Sequence, residues 1–449
     1  MKVAIILTIV ALVALVGVLV GCQKAEPPSA AELQQKAAEF LQLLSNQEYG
    51  AAVEQFDNTM RDALPEEKLK ETWESMIATL GELESLGDSR VYQEAGYQIV
   101  LQTCDFEQGK LDAKVVFDNK GHIAGLWFLP PSSGAESYTP PDYVREDTFA
   151  EIEVTFGAEG WELPGTLSLP KGEGPFPAVV LVHGSGPNDR DETIGPNKPF
   201  KDLAWGLASN GIAVLRYDKR TRVHAVKITS ELATKLTVEE EVIEDALLAL
   251  EFLRRQKGID GNKLFLLGHS LGGRLVPEIA NRDGQVAGVV ILAGNTRPLY
   301  ELALEQYEYI FSLDGEIDEA EAKKLEEIGK AAEAIKSHQL GEDEIVPGLG
   351  ASARYWYDLQ ERNAIKEALE LSCPLLILQG ERDYQVTVED FEGWRKGLAS
   401  KDNISFKLYP DLNHLFVAGE GKSTPSEYER LGHVDEQVIK DIVTWILSG

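Results

Sequence analysis

The chain has 449 residues, of which 43% are hydrophobic and 26% charged, an ordinary globular balance over a length that suits two or three domains. Its formal net charge of −31 argues against nucleic acid or an anionic membrane surface as a partner. The three cysteines, Cys22, Cys104 and Cys373, can form neither a disulfide framework nor a zinc site. We expect Cys104 and Cys373 to be small buried hydrophobic residues, and nothing in the sequence supports a bridge between them.

The N-terminus carries an apolar run from Val3 to Val20 behind a single lysine. This pattern predicts a signal peptide at 1–21, although the length of the run also suits a transmembrane anchor. The run ends in a Leu-Val-Gly-Cys sequence at Cys22, which resembles the bacterial lipobox and implies that this cysteine is lipidated. We therefore expect a membrane-anchored, extracytoplasmic lipoprotein, at the cell surface or on the periplasmic face, with 22–29 as a short tether.

Residues 30–130 predict a small α+β domain. Apolar residues recur at helical spacing from Leu33 to Leu44, and further helices are predicted at 49–56 and 66–83. Alternating segments then predict strands at 91–92, 97–106, 111–117 and 123–129. Helices followed by a meander of strands resemble the cone-shaped fold of nuclear-transport-factor-like domains. We recognise no catalytic group of residues in this part of the sequence.

Residues 131–147 are rich in proline, serine and glycine and predict an interdomain linker before a large domain at 148–449. In that domain the predicted strands lie at 150–156, 161–169, 177–182, 212–217, 264–267, 287–292, 375–378 and 404–408. Helices are predicted between them, notably at 200–210 and 238–256. This alternation predicts an α/β fold with a mainly parallel sheet, helices on both faces and an antiparallel pair at the start.

A glycine-flanked serine follows the buried strand at 264–267. Gly268-His269-Ser270-Leu271-Gly272 is a G-x-S-x-G sequence between that strand and a helical segment, the setting of a nucleophile elbow. Glycines are needed there because the turn brings neighbouring backbone very close. The pattern alone is weak, since it is also typical of any glycine-rich strand-to-helix turn.

Two later strands end in residues that complete a nucleophilic site. Asp383 follows the strand at 375–378, and His414 follows the strand at 404–408, so the order is Ser, Asp, His. The carboxyl ends of parallel strands meet at one edge of a sheet, where ligand chemistry collects. The competing acids are Glu381 and Asp411, and the competing base is His433, which has no strand ahead of it.

The large domain resembles α/β-hydrolase carboxylesterases of the bacterial esterase D type. The segments that carry the resemblance are HGSGPNDRDETIG at 183–195, YDKRT at 217–221, GHSLGG at 268–273 and GERD at 380–383. The resemblance implies Ser270 as the nucleophile, Asp383 as the acid and His414 as the base. It implies no metal and no cofactor, and the charged loop at 189–192 is interpreted as solvated or ion-paired.

The mechanism then predicts an oxyanion hole made by the backbone N–H groups of Leu271 and Ser185. His183 and His269 flank the site, and in this family such histidines brace loops rather than transfer protons. A histidine base predicts activity that falls on the acid side of neutrality.

An insertion at about 296–372 precedes the strand that leads to Asp383. Its middle, 317–338, predicts an amphipathic helix, and tyrosines and a tryptophan cluster around it. We expect a helical cap over the active site that shapes the substrate pocket. The alternative is a solvent-facing helical insertion.

These observations predict a serine carboxylesterase that hydrolyses short- to medium-chain esters, with a small-molecule ester as its partner. A thioesterase or peptidase with the same three residues is the nearest alternative. A binding lipoprotein with an inert hydrolase domain is an alternative of a different class. The sequence does not indicate the natural substrate, the role of the N-terminal domain or the oligomeric state.

Overall fold

The computed structural model describes residues 28–94, 97–129, 138–225, 227–228 and 230–448. The predicted signal peptide at 1–21, Cys22 and most of the tether therefore lie outside the described residues. Across the described ranges, no helix is both long and apolar enough to cross a bilayer. The chain divides into two compact units, 1–135 with 224–232, and 136–223 with 233–449.

The described part of the first unit consists mainly of helices followed by strands. They are α1 (Ala30–Ser45), α2 (Tyr49–Glu54), α3 (Asn58–Ala63), α4 (Glu66–Leu80), β1 (Leu83–Glu94), β2 (Tyr97–Phe106), β3 (Gly109–Phe117) and β4 (Ile123–Leu129). The strands form an antiparallel sheet in the order β1-β2-β3-β4. This arrangement confirms the predicted α+β domain.

The first unit has its own hydrophobic core between the helices and the sheet. The face predicted for α1 is buried, and the Trp73 ring of α4 lies 6.0 Å from Phe106 and 5.7 Å from Phe128 between ring centres. The predicted helix 66–83 was too long, because Gly81 ends α4 with a φ of 77° that favours glycine. Leu83 instead begins β1.

The second unit is built on a large sheet. Its strands are β5 (Phe149–Phe156), β6 (Leu163–Pro170), β7 (Phe176–Val182), β8 (Ala213–Tyr217), β9 (Ile259–His269), β10 (Gly288–Leu292), β11 (Leu375–Gly380) and β12 (Ile404–Tyr409). Their order is β12-β11-β10-β9-β7-β8-β6-β5. Strands β7 to β12 pair in parallel, whereas β6 pairs antiparallel with both β5 and β8. The predicted mainly parallel sheet and the antiparallel pair at its start are confirmed.

Helices of the remaining described chain lie between and after these strands. They are α5 (Pro199–Ala208), α6 (Arg220–Val223), α7 (Ser230–Ala233), α8 (Glu244–Arg254), α9 (Leu271–Asp283), α10 (Leu299–Phe311), α11 (Glu319–Lys336), α12 (Ala353–Glu361), α13 (Ala364–Glu370), α14 (Val388–Gly397) and α15 (Glu436–Ser448). A π-helical turn, Glu239–Ile243, precedes α8 where one regular helix was predicted.

Both faces of the sheet are buried. Val180 of β7 belongs to a hydrophobic core that contains residues of α8 and α9, whereas Val179 and Leu181 belong to a second core with residues of α5 and α15. Successive side chains of a strand point to opposite faces, so these two cores lie on opposite sides of the sheet. This explains why the central strands are continuous apolar runs, and it confirms the prediction of helices on both faces.

The insertion between β10 and β11 contains α10 to α13. Its long helix α11 corresponds to the amphipathic segment predicted at 317–338 and begins with a capping box formed by Asp318 and Glu321. Ile335, Trp356 and Tyr300 belong to a small separate hydrophobic core within this insertion.

Candidate active site

Ser270 lies at the turn between β9 and α9. Its backbone has a φ of 54° and a ψ of −120°, which is rare for a residue with a side chain. The Ser270 N–H donates to Leu292 O at 2.9 Å, which ties the turn to the end of β10. Strain of this kind persists only where surrounding contacts enforce it, and it is concentrated at functional sites.

The glycines on either side of Ser270 allow the turn to form. A Cβ atom on Gly268 would lie 2.4 Å from Gly272 O, and one on Gly272 would lie 2.2 Å from Val182 O. Both distances are far below van der Waals contact with backbone that cannot easily move. The close approach that the sequence predicted is therefore present at both positions.

His414 and Asp383 are brought together at the same edge of the sheet, after β12 and β11. His414 Nδ1 lies 2.6 Å from Asp383 Oδ2, and both side chains are buried. Asp383 Oδ1 accepts the N–H groups of Gln385 at 2.7 Å and Val386 at 3.0 Å. Gln379 Nε2 donates to Asp383 Oδ2 at 3.1 Å. The carboxylate is thus fixed on all sides and directed at one ring nitrogen of His414.

The competing residues lie elsewhere. Glu381 and Asp411 are exposed. His433 Nδ1 lies 3.2 Å from Asp202 of α5 and makes no contact with Asp383 among the described hydrogen bonds.

His269, the residue before Ser270, packs against His414. The two imidazole rings of His269 and His414 have centres 4.6 Å apart, and His269 Nε2 lies 2.9 Å from His414 O. His269 Nδ1 lies 2.9 Å from Glu192 Oε2. A carbonyl oxygen can only accept, so His269 Nε2 donates to His414 O, while Nδ1 faces the Glu192 carboxylate. These contacts link the ring of His269 to the backbone of His414 and to the Glu192 carboxylate.

The buried pair of Glu192 and His269 is electrostatically coupled. Burial alone would lower the pKa of His269, but the Glu192 carboxylate raises it. Burial would raise the pKa of Glu192, but His269, His183 and the Gly184 N–H lower it. The pKa of His183, by contrast, is lowered, because burial disfavours its charged form. His183 Nε2 donates to Tyr217 O at 2.6 Å.

The backbone N–H groups predicted as oxyanion donors are those of Leu271 and Ser185. Leu271 is the first residue of α9, so its N–H has no acceptor within the helix. Gly184 lies against Ser270, since a Cβ on Gly184 would be 3.2 Å from Ser270 Cβ. The Gly184 N–H is already bonded to Glu192 Oε1 at 2.7 Å. Ser185, the next residue, is exposed at the mouth of this turn.

The charged loop at 189–192 is ion-paired. Arg190 bonds Asp218, and Asp191 bonds both Arg216 and Lys198. Within the part of the chain that the structure describes, no group of three or more histidine, cysteine, aspartate or glutamate side chains is arranged to hold a metal ion. Cys104 and Cys373 are free thiols, and burial raises the pKa of Cys104 to about 12.

Two features of the site were missed by reasoning from the sequence. Glu192 was interpreted only as part of a charged loop, although it is buried beside His183 and His269, which lie at the ends of buried strands. Lys219 was used only as part of the segment that carries the family resemblance, yet it is 1% exposed and contacts Gly184. A lysine two residues after a buried strand was the available signal.

Residues 175–420, more than half of the chain, match the family model described as "Serine aminopeptidase, S33". The chain belongs to this family. A second model, described as a protein family of unknown function (DUF3887), matches 37–126 of the N-terminal unit. The serine-hydrolase family therefore covers the unit that carries Ser270, and a family without an assigned role covers the other unit.

Relatives of this S33-family chain include named hydrolases. Esterase EstD of Thermotoga maritima is 44% identical over 92% of this chain and 95% of its own length. This likeness confirms the predicted resemblance to the esterase D type. Thiohydrolase aneE of Aspergillus aculeatus is 33% identical over 32% of this chain and 42% of its own length.

Solved structures similar to this family member include Est1E from Butyrivibrio proteoclasticus. It has a TM-score of 0.43 and 14% identity, and the match covers 66% of this chain and 99% of Est1E. The acylaminoacyl peptidase of Pyrococcus horikoshii has a TM-score of 0.45 and 15% identity, with 82% of this chain and 50% of that chain covered.

Proposed function

We propose that this chain is a serine carboxylesterase that hydrolyses short- to medium-chain esters through an acyl-enzyme on Ser270. The observation that carries the proposal is the buried 2.6 Å contact between His414 and Asp383 at the sheet edge where Ser270 occupies its strained turn. The 44% identity to an esterase over nearly the whole chain supports the ester as the substrate class.

In the proposed reaction, His414 removes the Ser270 hydroxyl proton while Ser270 Oγ attacks the ester carbonyl carbon. The carbonyl electron pair moves to oxygen and forms a tetrahedral oxyanion. Asp383 holds the His414 tautomer and stabilises the imidazolium that forms. The imidazolium then protonates the leaving alcohol, and a water molecule deprotonated by His414 hydrolyses the acyl-enzyme.

We assign the oxyanion hole to the backbone N–H groups of Leu271 and Ser185. The free N–H groups at the start of α9 and the positive end of its helix dipole favour a negative oxygen at this position. Removal of one such donor typically lowers kcat by about 10²–10³-fold.

The test is hydrolysis of p-nitrophenyl esters of two to twelve carbons by the full chain in detergent. We expect turnover that is abolished in Ser270→Ala and retained in Ser405→Ala, an exposed serine of β12 that serves as the matched control. Folded wild-type protein without turnover on any ester would contradict the esterase and favour an inert binding lipoprotein.

A thioesterase or peptidase is the second candidate, because relatives of this chain are described as a thiohydrolase and as an acylamino-acid-releasing enzyme. The same acyl-enzyme chemistry accepts a thiol or an amine as the leaving group. Matched acyl thioesters and acylamino-acid p-nitroanilides separate the candidates. We expect kcat/KM to be highest for the oxygen ester.

We also propose that the protein is an extracytoplasmic lipoprotein anchored through Cys22. The support is the apolar run that ends in the Leu-Val-Gly-Cys sequence. Cys22→Ser should abolish lipidation and release the protein from the membrane fraction. Mass spectrometry of the mature N-terminus detects the loss of the lipid. An unmodified Cys22 in the wild-type membrane fraction would contradict the anchor.

A further inference from the structure

Lys219, between β8 and α6, is a buried cation next to the oxyanion loop. Its Nζ atom donates to Gly184 O at 3.0 Å and lies 2.7 Å from Glu241 Oε1. The Lys219 N–H donates to Asn188 O at 3.1 Å, so the backbone of the lysine is also fixed to this loop. A buried ammonium group needs paired acceptors, and both of these are present.

The position of Lys219 matters because Gly184 O and the Ser185 N–H belong to one peptide group. A trans peptide is planar, and its C=O and N–H point in opposite directions. A contact that holds Gly184 O toward Lys219 therefore directs the Ser185 N–H to the other side of the peptide. A positive charge on the carbonyl also polarises the group and strengthens its N–H as a donor.

The other polar group of Gly184 is held as well. Its N–H donates to Glu192 Oε1 at 2.7 Å. Asn188 Nδ2 donates to Gly184 O at 3.3 Å and to Ser185 O at 3.1 Å. The turn is thus fixed by an anion on one side and a cation on the other, at the residue that lies against Ser270.

Glu241, in the π-helical turn before α8, keeps Lys219 in place. Its second oxygen, Oε2, accepts the Tyr355 hydroxyl of α12 at 2.8 Å. Glu241 is buried, and its two oxygens have different donors, so the carboxylate has a defined orientation. π-turns of this kind are frequent at functional sites.

We propose that Lys219 is a positioning residue of the oxyanion hole, which aims and polarises the Ser185 N–H through Gly184 O. The inference rests on the proposed serine esterase reaction. The Coulombic pair with Glu241 also has a structural effect, so the test must separate stabilisation of the fold from stabilisation of the oxyanion.

The test is Lys219→Met in the full chain, with p-nitrophenyl butyrate as substrate and an alkyl trifluoromethyl ketone as inhibitor. Addition of Ser270 Oγ to the ketone carbonyl forms a C–O bond, sends the serine proton to His414 and leaves an oxyanion. We expect kcat/KM to fall about 10–100-fold and Ki for the ketone to rise by the same factor, because the donor is misplaced rather than deleted. KM should change much less than kcat.

Lys198→Met is the matched control, since Lys198 pairs with Asp191 of the same loop and makes no described contact with Gly184. We expect its kcat/KM to stay within about twofold of wild type, as for a partly exposed ion pair. Should Lys219→Met fail to fold, Lys219→Met with Glu241→Gln removes both charges and is predicted to show the same parallel change.

A folded Lys219→Met variant with unchanged kcat/KM and unchanged Ki for the ketone would overturn the positioning role and leave Lys219 a structural residue. A loss of kcat/KM without the matching rise in Ki would overturn it too. Failure of the esterase proposal is separate, because it would appear as wild type without turnover on any ester, or as turnover that persists in Ser270→Ala.

Discussion

His414 Nδ1 lies 2.6 Å from Asp383 Oδ2, and both side chains are buried. Asp383 contacts only one ring nitrogen, and the proposed reaction uses the other, Nε2, to take the serine proton. The contact also explains why a carboxylate rather than an amide is needed, since only an acceptor keeps the proton on Nδ1.

Asp383→Asn should therefore lower kcat by about 10³–10⁴-fold, because the amide favours the wrong tautomer of His414. The fold should survive, since the Asn oxygen still accepts the Gln385 and Val386 N–H groups. Esterase rates together with thermal unfolding check this. Glu381→Gln, in an exposed neighbour, is the control and should keep its activity; equal losses in both variants would contradict the assignment.

The pair of Glu192 and His269 should make stability depend on pH. The lowered pKa of Glu192 adds stability above the ordinary glutamate value of about 4.3, and this is lost as pH falls. The raised pKa of His269 adds stability below the ordinary histidine value of about 6.5, and this is lost as pH rises through the folded-state value. Both contributions are complete between about pH 4.3 and 6.5.

Glu192→Gln removes the carboxylate that does most to raise the pKa of His269 against the effect of burial, so that pKa should fall. Between about pH 4.3 and 6.5 we expect the variant's free energy of unfolding to be roughly 1–3 kcal/mol below that of wild type. This difference in stability should narrow as pH rises above the pKa of His269 in the folded protein. Urea unfolding at a series of pH values measures it. Glu173→Gln, at an exposed carboxylate, is the control. A gap that does not vary with pH would contradict the coupling.

Replacement of glycine by alanine is predicted to have opposite effects on stability at Gly268 and Gly329. Gly268→Ala places a Cβ 2.4 Å from Gly272 O and should destabilise the protein by at least about 1–3 kcal/mol. Gly329→Ala, within α11, meets no atom within 4 Å and should stabilise by about 0.4–1 kcal/mol. Unfolding midpoints of the two variants test the contrast, and shifts of the same sign would refute it.

Arg274 of α9 joins the two ends of the insertion predicted to be a cap. Its guanidinium donates to Thr296 O at 3.2 Å on one side and to Arg362 O at 2.8 Å on the other, and burial lowers its pKa to about 10. Arg274→Met should cost about 1–3 kcal/mol of stability by leaving buried carbonyls unpaired. If the insertion is a cap, the ester chain-length optimum should also change; Arg282→Met, more exposed on the same helix, should not change it.

Local patterns were sufficient to predict the elements around Ser270, Asp383 and His414. Ser270 and Asp383 each follow a buried apolar run, and His414 follows a shorter, mostly half-buried strand in which apolar and polar residues alternate. The contacts of Lys219 could not be predicted in the same way. Its partners lie 35 residues before it and 22 residues after it, and they meet only through the pairing of β7 with β8 and the π-helical turn. Glu192 was hidden because a φ of 52° turns it inward from a charged loop.

The most direct test of the account is mass mapping of the covalent intermediate after a rapid acid quench of the full chain with p-nitrophenyl butyrate. We predict a mass increase of one butyryl group on the peptide that contains Ser270, and none in Ser270→Ala. A butyryl adduct on a different residue, or turnover of wild type with no adduct while Ser270→Ala hydrolyses the ester at the same rate, would contradict the proposed reaction.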